Sequence, residues 1–244
     1  MRRKRLSINI PYWHTSEDRY NGLLFVIGKL SKFLFELKRQ NIDCVFNIFD
    51  FSETKKIENG IHIPYSISEY KRAEKINHII KYNYDNLNPE IFCLFDSDIF
   101  FDEESYDNII NLINNFDKRF FYVGRVNDLI FDNNVMLDLK ELKLKGRYHT
   151  RKRDVFGLGG VYFVDFDELH TIGGYDENFI TWGGEDDDLG NRFARKRIFR
   201  QNLDCDFYHL PHEHVQKIDW DQYKKQCELI THNVTFKPSR ILSK

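Results

Sequence analysis

The sequence predicts an α/β chain, a mostly parallel central sheet flanked by helices. Three observations carry this. Residues 6–51 read strand, helix, strand, the opening of an α/β unit with a crossover. Ile91-Phe92-Cys93-Leu94-Phe95 is an almost continuous apolar run, the pattern of a strand covered on both faces and central in a parallel sheet. Asp96-Ser97-Asp98 stands at the carboxyl end of that run, where open α/β sheets bind their ligands.

The elements follow in order. Leu6–Ile10 alternate as a strand and Pro11 stops it. Residues 12–18 form a loop in which Thr15 or Ser16 caps the next helix, with Glu17 and Asp18 in its first turn. Leu23, Ile27, Leu30, Leu34 and Leu37 mark one face of that helix, which ends near Gln40. Residues 43–51 make a second strand, 52–60 polar turns, and Ile61-His62-Ile63-Pro64 a short extended piece. A helical pattern over 68–82 puts Tyr70, Ala73, Ile76, Ile79 and Ile80 on one side, and Asn86–Pro89 break it. A helix at 103–116 and a strand at 120–123 follow the central run. The stretch 125–155 is charged and exposed in pieces, and its basic segment Arg147–Arg153 either borders an anionic ligand or is a solvated loop. Gly159-Gly160 lead into a strand at 161–164. Beyond it lie a helix at 186–199, a strand at 203–207 and a terminal helix at 219–232. The chain reads as one domain over 1–244, with halves at about 6–124 and 156–215 sharing a sheet and a final helix at 219–233.

Composition bounds the rest. Of 244 residues, 41% are hydrophobic and 16% aromatic, with 22 Phe, enough for a substantial core. A formal charge of −2 argues against a nucleic-acid binder. No apolar run is long enough to span a bilayer. The basic start Met1–Arg5 is not followed by a signal-peptide core, and it suits contact with an anionic membrane surface. Cys44, Cys93, Cys205 and Cys227 form no C-x-x-C pair and suit a reducing cytoplasm.

Two constellations carry chemistry. Asp96 and Asp98, two residues apart past a buried strand, can share a hard divalent ion, one ligating and the other orienting a water or hydroxyl. His209 and His212 flank Pro211, with His214 just after, and can converge on one ion. Carboxylate with imidazole fits Mn, Fe or Zn better than a site made only of oxygens. Two His and one Asp also make the non-haem iron triad, which usually belongs to all-β folds. The second constellation is Gly173-Gly174-Tyr175 through Trp182-Gly183-Gly184 to Glu185-Asp186-Asp187-Asp188. Four adjacent acids repel one another and are tolerated at a helix N-terminus. With Trp182 as a stacking platform they suit a polyhydroxylated ligand. Asp186 is the candidate general base, its proton affinity raised by Glu185 and Asp187.

These segments resemble the family 7 glycosyltransferases, the beta-1,4-galactosyltransferase type with the GT-A fold and its Rossmann-like nucleotide-binding half. Ile8–Tyr12, Tyr70-Lys71-Arg72-Ala73, Asp96-Ser97-Asp98, Gly159-Gly160-Val161, Gly173-Gly174-Tyr175, Trp182–Asp188 and His209 with His212 match in order over about residues 6–215. The resemblance implies a metal-dependent inverting transfer of galactose or N-acetylgalactosamine from a UDP-sugar to a saccharide or glycolipid acceptor. It implies Mn2+ on Asp98, His209 and His212, and nucleotide contacts from Pro11, Tyr12, Arg72, Asp96 and Asp98. It gives Asp186 as catalytic base and Trp182, Gly184, Glu185 and Asp187 as acceptor contacts, with Trp182 on a mobile loop. Trp13-His14-Thr15 stands where the family has an arginine-bearing loop, His209 replaces a Met, and Tyr70-Lys71 replaces Phe-Asn. The expectation is a cytoplasmic, bacterial-style enzyme of surface polysaccharide synthesis, peripheral at the inner membrane face. The alternatives are a retaining transferase resembling the polypeptide N-acetylgalactosaminyltransferases, a non-catalytic nucleotide- or carbohydrate-binding module, and a nucleotidyltransferase. The last is disfavoured by the lack of a glycine-rich triphosphate loop.

Overall fold

Parallel strands lay down the first half of the sheet. β1 (Leu6–Tyr12), β2 (Cys44–Asp50) and β3 (Ile61–His62) step outward in order, and β4 (Ile91–Phe95) pairs with the other side of β1. The computed structural model describes residues 5–53, 56–63, 71–132, 135–153, 160–180, 183–212, 220–232 and 242. The helices α1 (Glu17–Arg39) and α2 (Arg72–Asn86) make the connections. Ser16 caps α1 by accepting from the Arg19 amide, and the helix ends at Gln40. The helix expected from 68 is described from Arg72 onward, while Tyr70 and the rest of 64–70 lie outside the described residues.

The second half changes the sense of the sheet. After β5 (Ile99–Phe100), a 3-10 turn (Glu103–Ser105) and α3 (Tyr106–Asn114), β6 runs from Phe120 to Phe131. A hairpin of β7 (Met136–Asp138) and β8 (Lys143–Lys145) precedes β9 (Tyr148–Lys152), which pairs antiparallel with the far end of β6. β10 (Val161–Asp165) runs into the short α4 (Phe166–Thr171); α5 (Glu185–Arg195), β11 (Phe199–His209) and α6 (Trp220–His232) complete the chain. The sheet order is β3-β2-β1-β4-β10-β6-β11-β5, with β9 on β6. β10 is antiparallel to both β4 and β6, whereas β11 is parallel to β6. The expected α/β architecture, a central sheet flanked by helices, is present; only the mostly parallel sense is corrected, because the sheet is mixed. An apolar run reports that both faces of a strand are covered, not the direction of its neighbours. β4 is central and covered, yet it lies where the sheet switches sense.

Side-chain alternation along the strands builds a core on each face. Ile91, Cys93 and Phe95 of β4 join Leu23, Val26, Leu30 and Phe33 of α1 on one side. Phe92 and Leu94 join Ile76, Ile79 and Ile80 of α2 and Phe193 of α5 on the other. Burying a side chain of this size stabilises by about 1.5–3 kcal/mol. Both faces are thereby filled, and polar chemistry is left to the strand ends. Cys44, Cys93 and Cys205 are free thiols, the last two buried; the Cys227 side chain lies outside the description. Of the basic start only Arg5 is described, and it is used internally, on Glu90 and the Ile113 carbonyl. Among the described residues no helix is long and apolar enough to cross a membrane.

Candidate active site

The site begins where β4 ends. The Asp96 amide donates to the Gly160 carbonyl at 2.9 Å, and the Ile99 amide donates to the Asp96 carbonyl at 3.2 Å, closing a tight turn over Ser97-Asp98. Gly160 has φ +81°, and a Cβ there would lie 2.6 Å from Ile99 Cδ1 and 3.1 Å from Asp96 Oδ2, so a side chain would push the turn open. β5 then pairs antiparallel with the end of β11, setting Ile99 opposite His209, and the Leu210 amide donates to the Asp98 carbonyl at 2.8 Å. Strand pairing thus brings Asp98 beside histidines more than 100 positions away.

Asp98, His209 and His212 each offer a ligand atom, and these atoms all lie within 4.8 Å of one another. Both Nε2 atoms face the same carboxylate: His212 at 3.0 Å from Oδ2 and His209 at 3.7 Å from Oδ1. Burial opposes ionisation of Asp98, but the His212 hydrogen bond and the charges of His209 and Arg19 outweigh it, holding the carboxyl well below its ordinary range. Burial lowers the pKa of His209 toward the neutral form that ligates metals. One carboxylate and two imidazoles suit a divalent transition metal such as Mn2+. Arg19, from the first turn of α1, reaches Asp98 at 3.3 Å, and its buried Nε has no acceptor among the described residues. A cation with donor capacity in reserve beside a metal cluster suits an anionic ligand.

The four consecutive acids are dispersed by the helix geometry. Glu185–Asp188 form the first turn of α5, whose cap Gly184 has φ 89°. Gly183, at φ +95°, lies under the Tyr223 ring of α6, where a Cβ would come within 2.6 Å of Cε2; Gln226 donates to its carbonyl at 3.1 Å. Asp188 turns away from the cleft to pair with Arg192 at 2.7 Å, and Arg192 in turn holds the Ile172 and Gly174 carbonyls. Asp187 is half-buried, its pKa raised by burial and partly offset by Arg200. Glu185 and Asp186 turn inward.

Arg72, at the start of α2, spans the two clusters. Its Nη1 is 2.7 Å from Asp96 Oδ1 and its Nε 3.5 Å from Glu185 Oε1. Glu185 is 4% exposed, its Oε2 has no partner among the described residues, and burial pushes its pKa up to about 8. Asp186 Oδ1 accepts from the Tyr175 hydroxyl at 2.9 Å, and Tyr175 lies 3.3 Å from the buried Tyr162 hydroxyl. Burial raises the pKa of Asp186, with Arg72 pulling it back and Asp96 adding to the rise. A carboxylate with raised proton affinity is suited to accept a proton.

The structure thus gathers Asp96, Asp98, Arg72, Glu185, Asp186, His209 and His212 at the strand ends. Pro11 is half-buried near the end of β1. The Tyr12 ring is 1% exposed in the core, with its hydroxyl 2.9 Å from His14 Nδ1. Trp182 and His214 lie outside the described residues. Sequence reasoning placed Tyr175 in the glycine-rich loop without giving it a role, and it missed Arg19 and Lys75, whose ammonium sits 3.9 Å over the Trp13 ring while burial lowers its pKa to about 8. Arg19 had a signal: a cation in the first turn of a helix opposes the helix dipole and calls for another reason to be there.

Comparison with known proteins fits this geometry. A protein-family model described as the N-terminal domain of galactosyltransferase matches residues 140–213. No curated protein matches by sequence. The catalytic domain of Drosophila beta1,4galactosyltransferase 7, solved in complex with xylobiose, is similar at TM-score 0.58 and 16% identity over 98% of this chain and 83% of that one. A mutant of that protein in complex with manganese, UDP-Gal and xylobiose matches with the same figures. GalNAc-T7 with UDP, GalNAc and Mn2+ also matches at TM-score 0.58, with 11% identity over 92% of this chain and 47% of that one. The chain has the GT-A fold.

Proposed function

We propose that this chain is a metal-dependent, inverting glycosyltransferase of the beta-1,4-galactosyltransferase type. It moves galactose or N-acetylgalactosamine from a UDP-sugar to a hydroxyl of a saccharide or glycolipid acceptor. The observation that carries the reading is the bridge made by Arg72 between Asp96, two residues before the Asp98 of the three-residue metal-ligand set, and Glu185, the neighbour of the desolvated Asp186.

Asp98, His209 and His212 would hold Mn2+, which supplies positive charge against a departing diphosphate. Arg19 and Arg72 add cationic donors on the same side. Asp186, held by Tyr175, takes the proton of the attacking hydroxyl as the acceptor adds to the anomeric carbon from the face opposite the leaving nucleotide. Glu185, Asp187 and Gly184 would contact the acceptor, and the sequence adds Trp182, which lies outside the described residues. Burial of Glu185 leaves it protonated near neutral pH and able to donate to a sugar oxygen. Attack from the opposite face turns an alpha-linked donor into a beta-linked product.

The xylobiose and UDP-Gal in the similar crystal structures suggest both donor and acceptor classes to try first. The free thiols Cys44, Cys93 and Cys205 suit a reducing compartment, and we propose a cytoplasmic enzyme of surface polysaccharide synthesis, peripheral at the inner membrane face. The test is UDP release from a panel of UDP-sugars, with Mn2+ or chelator, with and without N-acetylglucosamine, xylosides and glucuronate-terminated sugars. Metal-dependent release from one donor, stimulated by one acceptor, is expected, with a beta-linked product by NMR. Tight UDP binding without transfer to any acceptor would instead favour a binding module. GalNAc-T7 matches the fold equally well, so an alpha-linked product would replace the inverting reading with a retaining one.

A further inference from the structure

His209 has two ring nitrogens, and only one faces Asp98. Its Nε2 lies 3.7 Å from Asp98 Oδ1, while its Nδ1 lies 3.2 Å from Asp128 Oδ1 on the opposite side of the ring. Asp128 belongs to neither sequence constellation. Its place is set by strand register: β6 and β11 run parallel with Asp128 directly opposite His209, and β9 runs antiparallel on the other edge of β6 with Arg151 opposite Asp128. Asp128 is 14% exposed and is held by Arg151 at 3.0 Å and Arg153 at 2.6 Å.

We propose that Asp128 is a positioning residue for the metal centre: by accepting a hydrogen bond from Nδ1–H of His209 it fixes the ring and presents a bare Nε2 to a divalent cation shared with Asp98 and His212. An imidazole that ligates through one nitrogen carries its proton on the other, and the acceptor for that proton sets ring orientation and basicity. Among the described residues, Asp128 is the carboxylate within reach of that proton.

Arg153 makes the assignment testable. Its Nη2 lies 2.8 Å from the same Nδ1. A guanidinium only donates, so this contact needs a bare Nδ1 and puts the proton on Nε2, where it blocks ligation. Asp128 and Arg153 therefore favour opposite tautomers of one ligand. When Nδ1–H turns to Asp128, Arg153 keeps its own bond from Nε to the same carboxylate, at 2.6 Å. Loss of Asp128 and loss of Arg153 should then move metal affinity in opposite directions, although each removes one side of the same ion pair.

The inference rests on the metal site of the proposed function. The experiment is Mn2+ titration of the full chain, followed by the electron paramagnetic resonance signal of free Mn2+, with and without UDP. D128A should weaken Mn2+ binding by about 10–100-fold. D128N, which keeps an acceptor oxygen but loses the charge, should fall between D128A and wild type, and R153Q should bind at least as tightly as wild type. Unchanged affinity in D128A, or an equal loss in R153Q, would overturn the proposal, the latter by showing that the ion pair merely supports the strands. A second readout needs no variant. In the Zn2+-loaded wild type, 15N spectra of labelled histidine should show His209 protonated on Nδ1 and metal-bound through Nε2, and the reverse assignment would overturn it. Wild type that binds no Mn2+ even with UDP would remove the metal site itself, a result distinct from wild-type binding that D128A leaves untouched.

Discussion

The two carboxylate clusters on either side of Arg72 are both desolvated, yet they are tuned in opposite directions. At the ends of β4 and β11, Asp98 is surrounded by His209, His212 and Arg19, and its charged form is favoured despite burial. At the start of α5, Glu185 and Asp186 are desolvated with Arg72 as the partly shared cation, and their proton affinities are raised. Burial is common to the two, so what differs is the number of positive groups and donors that accompany each carboxylate. The first arrangement suits holding a cation, the second suits taking up a proton. Carboxylates whose environments push their proton affinities apart mark where acid–base roles divide.

The largest effect should come from removing the proton acceptor. D186N keeps the shape of the side chain and loses its basicity, and transfer should drop by about 10²–10⁴-fold. UDP affinity in the presence of Mn2+, measured by calorimetry, should stay close to wild type. If UDP affinity collapses together with turnover, the two clusters are one binding unit and the division drawn above fails.

Breaking the other side should give the converse pattern. D98A removes the carboxylate that both histidines face, and Mn2+-dependent UDP affinity should fall by roughly a hundredfold or more, since metal charge is worth several kcal/mol at such a site. Calorimetry with Mn2+ and with chelator checks it, and a variant that retains full manganese dependence would count against the ligand set.

How much of this division was legible in the sequence follows from which contacts are local. The apolar run of β4 with Asp96 and Asp98 at its end, the pair His209 and His212, and the acids opening a helix are local patterns, and the structure brings them together. The sense of β10 was not legible, because its apolar residues read the same in either direction. Nor was the split of the four acids: only the helix turn shows that Asp188 belongs to Arg192 while Glu185 meets Arg72, from a helix more than 100 positions earlier. Arg19 reaches Asp98 through helix placement and Asp128 reaches His209 through strand register, and no spacing in the sequence encodes either.

A smaller effect tests whether Glu185 is held neutral. Its pKa in the folded chain, about 8, stands above the ordinary value of 4.5. Between those values the native state keeps a proton that the unfolded state has lost, so stability should fall as pH rises through that window. E185Q removes the ionisation. It should match wild type near pH 4.5 and be more stable above pH 8, by about 1–3 kcal/mol, the cost of leaving a buried polar group unsatisfied. Denaturant unfolding at the two pH values measures it; a wild-type stability that rises across the window would mean that Arg72 keeps Glu185 charged.

The smallest expected change is also the most selective probe of the proton-accepting side. The Tyr175 hydroxyl donates to Asp186 at 2.9 Å, and the Tyr162 hydroxyl lies 3.3 Å from Tyr175 in the core. Tyr175 has a single hydroxyl proton; with that proton on Asp186, the contact between the tyrosines needs Tyr162 as donor, so the three groups form a directed chain. The bond to Asp186 favours its charged form, one of the forces opposing the rise that burial causes. Y175F removes that force, so the pKa of Asp186 should rise further. More alkaline conditions would then be needed to expose the base, and the acidic limb of the kcat/KM profile should move to higher pH. On the alkaline plateau the loss should be about three- to tenfold, the net worth of one ordinary hydrogen bond, here the one that orients the base. The same substitution leaves the Tyr162 hydroxyl without its neighbour, and a stability loss of about 1–2 kcal/mol should accompany it. A purely structural role for Tyr175 would give the stability loss without moving the limb, and an acidic limb that stayed in place would therefore detach Tyr175 from the base.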